Sequence, residues 1–358
     1  MKHADQIYID LQQHLDKQAV GFPATQSGVE IRILKELFTP EQASLALHLN
    51  YQPQSVLDIF NQAKDSRATL EKIKSMLEDM RSNGAIGCRK KSGGEHYFTV
   101  PLLVGIAELH SSKATPQFWE NFSEYMSGEF GKAFAATKIS QLRTIPGEKS
   151  ISMEYHVATY DQIRELIMNT DGPIAVGKCM CREGAKQKGR PCHVTTHSET
   201  CMGFGDWARH FIKQGLSREI TREEALEITR QNEEDGLILQ PTNNQKIDFV
   251  CACCGCCCGV LAGLKNLPKP AENWAHNFYA AVDNDKCTSC EVCVEKCQMN
   301  AVGANEQTEC LTINLDRCIG CGNCVTSCPS SAMTLVKKER ETVPPQDSTS
   351  LYKILAEK

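Results

Sequence analysis

The number and placement of cysteines constrain this chain more than any other feature of its sequence. Of the 358 residues, 20 are cysteines, and 19 of these follow residue 178. Several are adjacent, as in the run 256–258, and most disulfides between such neighbours would be badly strained. Disulfide-rich secreted scaffolds are usually short and carry a secretory signal, whereas this chain is long and we expect no such signal. The pattern therefore predicts thiolate ligands for soft metals in a reducing compartment, and we expect a cytoplasmic protein.

The rest of the composition is typical of a globular protein with two or three domains. Hydrophobic residues make up 41% of the chain and charged residues 23%. The formal net charge of −5 argues against general coating of nucleic acids. The longest apolar run, residues 100–107, contains Pro101 and is too short to cross a bilayer, so we expect no membrane span.

Residues 1–115 combine several helix signals with the signal of a basic hairpin. Apolar residues at helical spacing predict four amphipathic helices, of which the last ends at Asn83-Gly84. Their expected first residues or caps are Gly28, Thr39, Ser55 and either Ser66 or Thr69. Residues 86–100 then predict two strands joined by a basic turn. Helices followed by such a hairpin resemble a winged helix-turn-helix module.

The charge of this module bears on whether it contacts DNA or protein. Residues 1–150 contain 17 basic and 17 acidic side chains, so the sequence predicts no domain-wide attraction for phosphate. The helix that would read DNA is mixed in charge, and its charged residues are Arg67, Lys72, Lys74, Arg81, Glu71, Glu78 and Asp79. We therefore interpret the module as a docking or dimerisation element, with a homodimer as one form and DNA binding as the alternative.

A helical linker region is predicted over residues 116–160. Aromatic residues recur on one helical face over 116–136, a pattern that is typical of core packing rather than of cofactor contact. Residues 141–155 are interpreted as a linker that ends in a strand.

Two helices are predicted between two groups of central cysteines. They span residues 206–213 and 221–235, and the second begins with a capping box and ends at Gly236. Folded back as a hairpin, these helices could bring the two cysteine groups together. Upstream, Asp161 is expected to cap a short helix, and a buried strand over 174–176 leads into the first group.

The most specific motif lies between residues 287 and 329. Two cysteine runs share the spacing C-x2-C-x2-C-x3-C, and Pro329 follows the second run. The runs consist of Cys287, Cys290, Cys293 and Cys297, and of Cys318, Cys321, Cys324 and Cys328. Residues 282–338 closely resemble bacterial two-cluster ferredoxins, whereas zinc modules favour paired CxxC units with a longer gap between the pairs.

The ferredoxin resemblance implies two [4Fe–4S] clusters, each bound by three cysteines of one run and the fourth of the other. One ligand set would be Cys287, Cys290, Cys293 and Cys328, and the other Cys318, Cys321, Cys324 and Cys297. Gln298 stands where proline is usual after the first run, which would loosen the turn without removing a ligand. Lys286 and Arg317 precede the runs and would raise the cluster potentials. Cys310, between the runs, is interpreted as a buried structural thiol.

A denser group of ten cysteines lies within residues 179–258. Its members are Cys179, Cys181, Cys192, Cys201, Cys251, Cys253, Cys254, Cys256, Cys257 and Cys258. Two cubanes would use about eight thiols, and one larger or non-cubane cluster about five to seven. We predict at least one and expect two further iron–sulfur clusters here, with a structural or storage metal site as the alternative. Adjacent side chains should point apart, so the run 256–258 should not serve a single cluster.

Two resemblances bear on this central group. The order of winged-helix-like N-terminus, CxCR segment at 179–182, CCGCCC run at 253–258 and terminal two-cluster ferredoxin resembles a group of iron–sulfur proteins. That resemblance implies an anaerobic redox role without a defined substrate. The CCG units resemble, more weakly, the boxes that hold non-cubane clusters in heterodisulfide-reductase-type subunits. The nearby cations and histidine either stabilise cluster charge or are solvated loop residues; they are Lys178, Arg182, Arg190 and His193.

The combined pattern predicts an α+β protein with three modules. These are a winged-helix-like module at 1–115, a central cysteine-rich α/β domain at 161–281 and a ferredoxin domain at 282–338, before a polar tail at 339–358 with a short terminal helix. The sequence contains no dinucleotide-binding or P-loop motif, so electron transfer between redox protein partners is the leading hypothesis. The alternatives are a reductase whose central cluster acts on a thiol, a disulfide or another small substrate, and a redox-sensing DNA-binding regulator.

Overall fold

The computed structural model describes residues 5–63, 68–91, 93–151, 157–304 and 311–357. It divides the chain into two compact units. The N-terminal unit comprises Met1–Lys138 together with Tyr352–Lys358, and the cysteine-rich unit comprises Ile139–Leu351. The predicted helical linker region is thus shared, because residues 116–138 belong to the first unit and residues 139–160 to the second.

In the described residues up to Lys138, the N-terminal unit contains eight α-helices, a π-helical turn at Leu102–Ile106 and a three-stranded sheet. The helices are α1 (Gln6–Asp16), α2 (Val29–Leu37), α3 (Pro40–Ala46), α4 (Val56–Gln62), α5 (Leu70–Ser82), α6 (Ala107–His110), α7 (Pro116–Ser127) and α8 (Glu129–Ala135). The strands are β1 (Gln54–Ser55), β2 (Gly87–Lys91) and β3 (Gly94–Phe98). The sheet is antiparallel, with the order β1-β3-β2.

Side-chain caps set where these helices begin. Thr39 and Ser55 each form a capping box, and the Thr69 side chain accepts a hydrogen bond from the Lys72 N–H. Gly28 precedes α2 with a φ of 66°, a left-handed conformation that glycine adopts without strain. The predicted helix starts and the hairpin are therefore confirmed, and the alternative cap Ser66 lies outside the described residues.

The aromatic stretch predicted as one helix over 116–136 is broken at Gly128. The backbone there has φ −109° and ψ −131°, which lies outside the helical region and separates α7 from α8. The prediction of core packing is confirmed, because Phe118, Tyr125 and Phe130 are fully buried.

The cysteine-rich unit is built on a five-stranded antiparallel sheet. Its strands are β4 (Ile174–Lys178), β5 (Glu199–Phe204), β6 (Ser217–Ile220), β7 (Ile238–Pro241) and β8 (Phe249–Cys253), in the order β6-β4-β5-β8-β7. Its helices are α9 (Ile163–Met168), α10 (Met180–Gln187), α11 (Gly205–Lys213), α12 (Arg222–Glu234) and α13 (Gly259–Lys265).

The two faces of this sheet differ in what covers them. Helices α9 and α12 cover one face, where Val176, Met202 and Val250 belong to the apolar core. Helix α11 covers the other face, where the Trp207 ring contacts Phe249. Because side chains alternate along a strand, Cys201, Cys251 and Cys253 share the face of α11.

Two predictions about this unit are wrong. Asp161 does not cap α9, whose N-cap is Gln162; instead Asp161 is buried, accepts a hydrogen bond from Asn277 at 2.7 Å and lies 3.8 Å from Arg143. The two cysteine groups are not brought together by a hairpin of α11 and α12. They meet because β5 pairs directly with β8, and the two helices pack on the sheet.

The last part of this unit has an internal repeat of strand, cysteine loop, helix and strand. The first copy contains β9 (Phe278–Val282), α14 (Val292–Lys296) and β10 (Val302–Ala304), and the second contains β11 (Leu311–Ile313), α15 (Asn323–Thr326) and β12 (Met333–Lys337). The copies are joined by antiparallel pairing of β9 with β12 and of β10 with β11. Helix α16 (Ser348–Ala356) follows, which confirms the predicted terminal helix; its residues from Tyr352 onward belong to the N-terminal unit. Cys310 lies outside the described residues.

Stability of this region should depend on pH through His276, which is buried beside β9. Its Nδ1–H donates to the Phe278 carbonyl at 2.7 Å, and its Nε2 accepts from the Lys338 ammonium at 2.8 Å. Burial, and then the charge of Lys338, lower the pKa of His276 to about 4 from an ordinary value of 6.5. The unfolded chain therefore binds a proton in this window that the folded chain does not, and stability falls as the pH drops from 6.5 toward 4.

We expect this loss to reach at most about 1.4 kcal/mol per pH unit, as measured by urea unfolding between pH 7 and pH 4.5. His276→Gln, which removes the titrating ring, should flatten the dependence by that amount. An equally steep decline in His276→Gln and in the unchanged protein would contradict the assignment.

Candidate metal centres

The two C-terminal cysteine runs are interleaved in space. The Cys293 thiol interacts electrostatically with Cys287 of its own run and with Cys328 of the second run. The thiols of the second run that interact in the same way with Cys297 of the first run are Cys318, Cys321 and Cys324. The structure therefore places Cys297 near the first three cysteines of the second run, and Cys328 near Cys293 of the first run.

The two cysteine loops follow the same backbone path, although their sequences differ. Left-handed φ values occur at Ser289 (51°) and Glu291 (60°) in the first loop. They recur at the equivalent positions, Gly320 (68°) and Gly322 (84°), in the second. Glycine accepts this conformation, whereas the two non-glycine residues are strained by about 1 kcal/mol each. The two loops keep the same backbone path although this strains the first, which indicates that the loop geometry serves a ligand.

Backbone N–H groups donate to the two crossing thiols in equivalent ways. The Ala301 N–H donates to Cys297 Sγ at 3.1 Å, and the Ala332 N–H donates to Cys328 Sγ at 3.3 Å. A third such bond runs from the Ala280 N–H of β9 to Cys318 Sγ at 3.3 Å. Hydrogen bonds of this kind stabilise negative charge on the sulfur, which a metal-bound thiolate needs.

Burial opposes ionisation of the first three thiols of the second run. It raises the pKa of Cys318 and Cys324, and it raises the pKa of Cys321 to about 12. These thiols would stay protonated at neutral pH without a metal. Because a metal-coordinated thiol is deprotonated outright, loading of this site must release protons.

The ten central thiols separate into a group of six and a group of four. In the six-thiol group each sulfur neighbours two others, in the closed order Cys179, Cys181, Cys258, Cys253, Cys251 and Cys201. The four-thiol group consists of Cys192, Cys254, Cys256 and Cys257, whose Sγ atoms all lie within 4.8 Å of one another. The six-thiol group involves more thiols than one cubane needs.

Strand geometry explains this division. Cys251 and Cys253 are two residues apart on β8 and share one face, whereas Cys254 follows on the opposite side and joins the apolar core. Met202 pairs with Val250, so the next position along the ladder sets Cys201 of β5 beside Cys251. Cys179 and Cys258 immediately precede α10 and α13, which brings both to the same edge as the strand thiols.

The cysteines of the run 256–258 are shared between the two groups. Cys256 and Cys257 lie in a turn after β8, where strand alternation no longer applies, and their Sγ atoms are 3.5 Å apart. Cys258 instead neighbours Cys181 and Cys253 of the six-thiol group. The run does not serve a single group, although two of its neighbouring side chains converge.

Arg182 is buried between the two central groups. Only 5% of its surface is exposed, and its guanidinium donates to the Ala252 carbonyl at 3.0 Å and to the Thr200 hydroxyl. Burial disfavours its charge, yet neighbouring cysteine sulfurs hold the pKa of Arg182 above its usual value; they belong to Cys179, Cys201 and Cys254. Arg182 therefore supplies a fixed positive charge, whereas Lys178, Arg190 and His193 are exposed.

Gln298 and Arg317 tie the C-terminal module to the central cysteine loop. Gln298 Oε1 accepts from the Gly255 N–H at 2.7 Å, and its Nε2 donates to the Gly236 carbonyl at 3.3 Å. Arg317 donates to the carbonyls of Met299 and Lys265, each at 3.1 Å. Gln298 thus connects the C-terminal module to the loop that carries Gly255, a role that its position in place of proline did not reveal. Arg317 connects the same module to the end of α13.

Gln298→Ala should lower the free energy of unfolding by about 1–3 kcal/mol, because the Gly255 N–H loses its partner in a partly buried loop. Urea unfolding of the metal-loaded protein measures the change. The exposed Gln13→Ala on α1 is the matched control, and its effect should stay within about 0.5 kcal/mol. Equal midpoints for the two variants would show that the Gln298 bridge adds nothing to stability.

A comparison with protein families identifies the C-terminal module. Residues 269–339 match the family model of a 4Fe-4S dicluster domain. The matched segment contains both cysteine runs, and with the neighbouring thiol groups it supports iron–sulfur cofactors and a redox function. A search of curated proteins gives no match to this chain. Among the described residues, no helix is long and apolar enough to cross a membrane.

The thiols of the dicluster domain suit iron–sulfur clusters by their chemistry and surroundings. All nineteen cysteines that the structure describes are free thiols, so none of these is committed to a disulfide. Sulfur ligands that accept backbone N–H groups in buried loops are the environment that such clusters require.

Proposed function

We propose that this protein is an iron–sulfur electron carrier that passes single electrons between redox protein partners in an anaerobic, reducing cytoplasm. Its C-terminal module binds two [4Fe–4S] clusters. Their ligands are Cys287, Cys290, Cys293 and Cys328 for one, and Cys318, Cys321, Cys324 and Cys297 for the other. The six-thiol group binds a further iron–sulfur cluster. When bound, such clusters each take up and release one electron.

The crossed arrangement of the two C-terminal runs carries this proposal. In bacterial two-cluster ferredoxins, each cubane takes three thiolates from one run and the fourth from the other. The placement of Cys328 beside Cys293, and of Cys297 beside the second run, supports that ligand pattern. The equivalent N–H bonds to Cys297 and Cys328 support a role for both sulfurs as thiolate ligands.

The contacts between the C-terminal module and the central loop support a relay. Electron transfer between centres needs short and constant separations. Gln298 and Arg317 fix the loop that carries Gly255 and the helix that ends at Lys265 against the dicluster module. Arg182 compensates the negative charge that accumulates on the central thiolates.

Iron and sulfide analysis of the full chain, purified without oxygen, tests the proposal. We expect more than about eight irons per chain, with matching sulfide and reversible bleaching on reduction. About eight irons would restrict the clusters to the C-terminal module and remove the central relay. A colourless protein, or one with zinc in place of iron throughout, would overturn the proposed function.

A reductase is the second candidate, and the six-thiol group favours it. Six thiols exceed the four that a cubane uses, so a cluster bound there could leave a thiol or an iron site for a substrate such as a thiol or disulfide. Changes in the spectrum of the central iron on addition of a small disulfide would favour this candidate over a simple carrier.

The proposal assigns the N-terminal unit to docking or homodimerisation. Helices α4 and α5, the β2–β3 hairpin and β1 beside β3 support the winged-helix resemblance. Two of the three basic side chains of α5 are paired within the unit, since Lys72 pairs with Glu41 at 3.0 Å and Arg81 pairs with Glu78 at 2.9 Å. Such pairing leaves little attraction for phosphate.

We therefore expect the full chain to bind duplex DNA more weakly than about 100 µM at physiological salt, the weak end of non-specific binding. Fluorescence anisotropy with a labelled duplex, repeated at low salt and after oxidation, measures this. Sequence-specific binding that changes with the oxidation state would instead favour a redox-sensing regulator.

A further inference from the structure

The four sulfur atoms of the four-thiol group, which belong to Cys192, Cys254, Cys256 and Cys257, lie unusually close together. The Cys192 Sγ lies 3.7 Å from that of Cys254 and 3.6 Å from that of Cys256, and the Sγ atoms of Cys256 and Cys257 are 3.5 Å apart. All four sulfurs lie within 4.8 Å of one another. In the described residues, this is the one cluster of potential metal ligands with such mutual spacing.

These separations fit a single metal ion. Four sulfurs placed tetrahedrally at about 2.3 Å from zinc are about 3.8 Å from one another. A cubane places four irons and four sulfides between its thiolates, which forces the thiolate sulfurs much farther apart. The spacing of the four-thiol group therefore excludes a cubane without a rearrangement of two loops.

We propose that Cys192, Cys254, Cys256 and Cys257 form a mononuclear tetrathiolate site for a structural Zn²⁺ ion. Four protein sulfurs fill a tetrahedral shell and leave no open position, as in structural zinc sites. Zinc also binds such ligands more tightly than ferrous iron does. The site is independent of the proposed electron transfer, because a zinc ion takes no part in redox chemistry.

The charge of this site is compensated by groups around it. Zinc and four thiolates carry a net charge of −2, and four protons are released on binding. The Arg182 guanidinium hydrogen-bonds to Cys254, and the N–H groups of Val194 and Thr195 donate to Cys192. Donors of this kind are the outer shell that tetrathiolate sites need.

The proposed ion would link two loops of the cysteine-rich unit that are far apart in the sequence. Cys192 lies in the loop between α10 and β5, and the other three ligands lie between β8 and α13. The second loop also carries Gly255, which bonds to Gln298, and Cys258 of the six-thiol group. Zinc would thus hold the loop that connects the central thiols to the dicluster module.

Metal analysis of the anaerobically purified full chain tests this site. We expect about one zinc per chain, with four sulfur neighbours at about 2.3 Å by X-ray absorption at the zinc edge. Cys256→Ser and Cys192→Ser change ligands on different loops, and each should reduce the zinc content at least tenfold while the iron and sulfide content stays unchanged. Cys88→Ser, in the N-terminal unit, is the matched control and should keep the zinc.

Retained iron in the two ligand variants shows that they are folded. Loss of iron and sulfide together in Cys256→Ser, with zinc unaffected, would assign the group to an iron–sulfur cluster and overturn the proposal. A wild-type protein without zinc, or with a single sulfide-free iron in its place, would overturn it as well. Neither result depends on the dicluster module, because zinc is measured separately from iron.

Discussion

Cys297→Ser should lose about four irons and their sulfides per chain, and the loss should fall on the cluster of the second cysteine run. The reason is the crossed arrangement: Cys297 belongs to the first run in sequence but lies beside Cys318, Cys321 and Cys324. Serine preserves the size of the side chain but is a poor ligand for this cluster type. Iron and sulfide analysis with electron paramagnetic resonance of the reduced protein measures the loss.

Pairs of variants distinguish the crossed arrangement from an uncrossed one. Cys297→Ser combined with Cys321→Ser should lose no more iron than either alone, because both sulfurs serve one cluster. Cys297→Ser combined with Cys293→Ser should lose about eight irons, because the two changes strike different clusters. The uncrossed arrangement predicts the opposite pattern, so a loss of only about four irons in the second pair would contradict our ligand assignment.

Local signals in the sequence were sufficient to predict much of this fold. Capping residues such as Thr39 and Ser55 fix helix starts by hydrogen bonds within four residues, so their effects can be read without tertiary information. The spacing of the cysteines in the C-terminal runs is likewise a local signal, and it predicts the type of domain without tertiary information. The family match covers both runs. Their ligand sets stay a prediction for the variants above to test.

The features that sequence analysis missed depend on tertiary structure. The separation of ten thiols into groups of six and four follows from the β5–β8 register and from a turn at residues 255–257. The interval between Cys192 and Cys254 gave no sign that their sulfurs lie 3.7 Å apart. The sequence shows a glycine at position 128, but only its backbone angles in the structure show that the helix ends there. Long-range pairing therefore decides which predicted ligands meet.

Arg182→Met should lower the free energy of unfolding by about 3–5 kcal/mol and release iron from the six-thiol group. The substitution leaves the Ala252 carbonyl and the Thr200 hydroxyl without their buried donor. It also leaves the thiolates of Cys179 and Cys201 without a neighbouring positive charge. Arg182→Lys keeps the charge but not the planar pair of donors, so it should retain more iron than Arg182→Met and less than the unchanged protein.

Arg190→Met is the matched control for this effect. Arg190 lies eight residues further along the chain, after α10, and is exposed, so its loss should change stability by no more than about 0.5 kcal/mol and leave the iron content unchanged. Urea unfolding and iron analysis of the three variants side by side measure both effects. If Arg182→Met behaves like Arg190→Met, the buried guanidinium is not a counter-charge for a central cluster. Iron loss confined to Arg182→Met would tie that charge to the six-thiol group, because the C-terminal clusters lie on other loops.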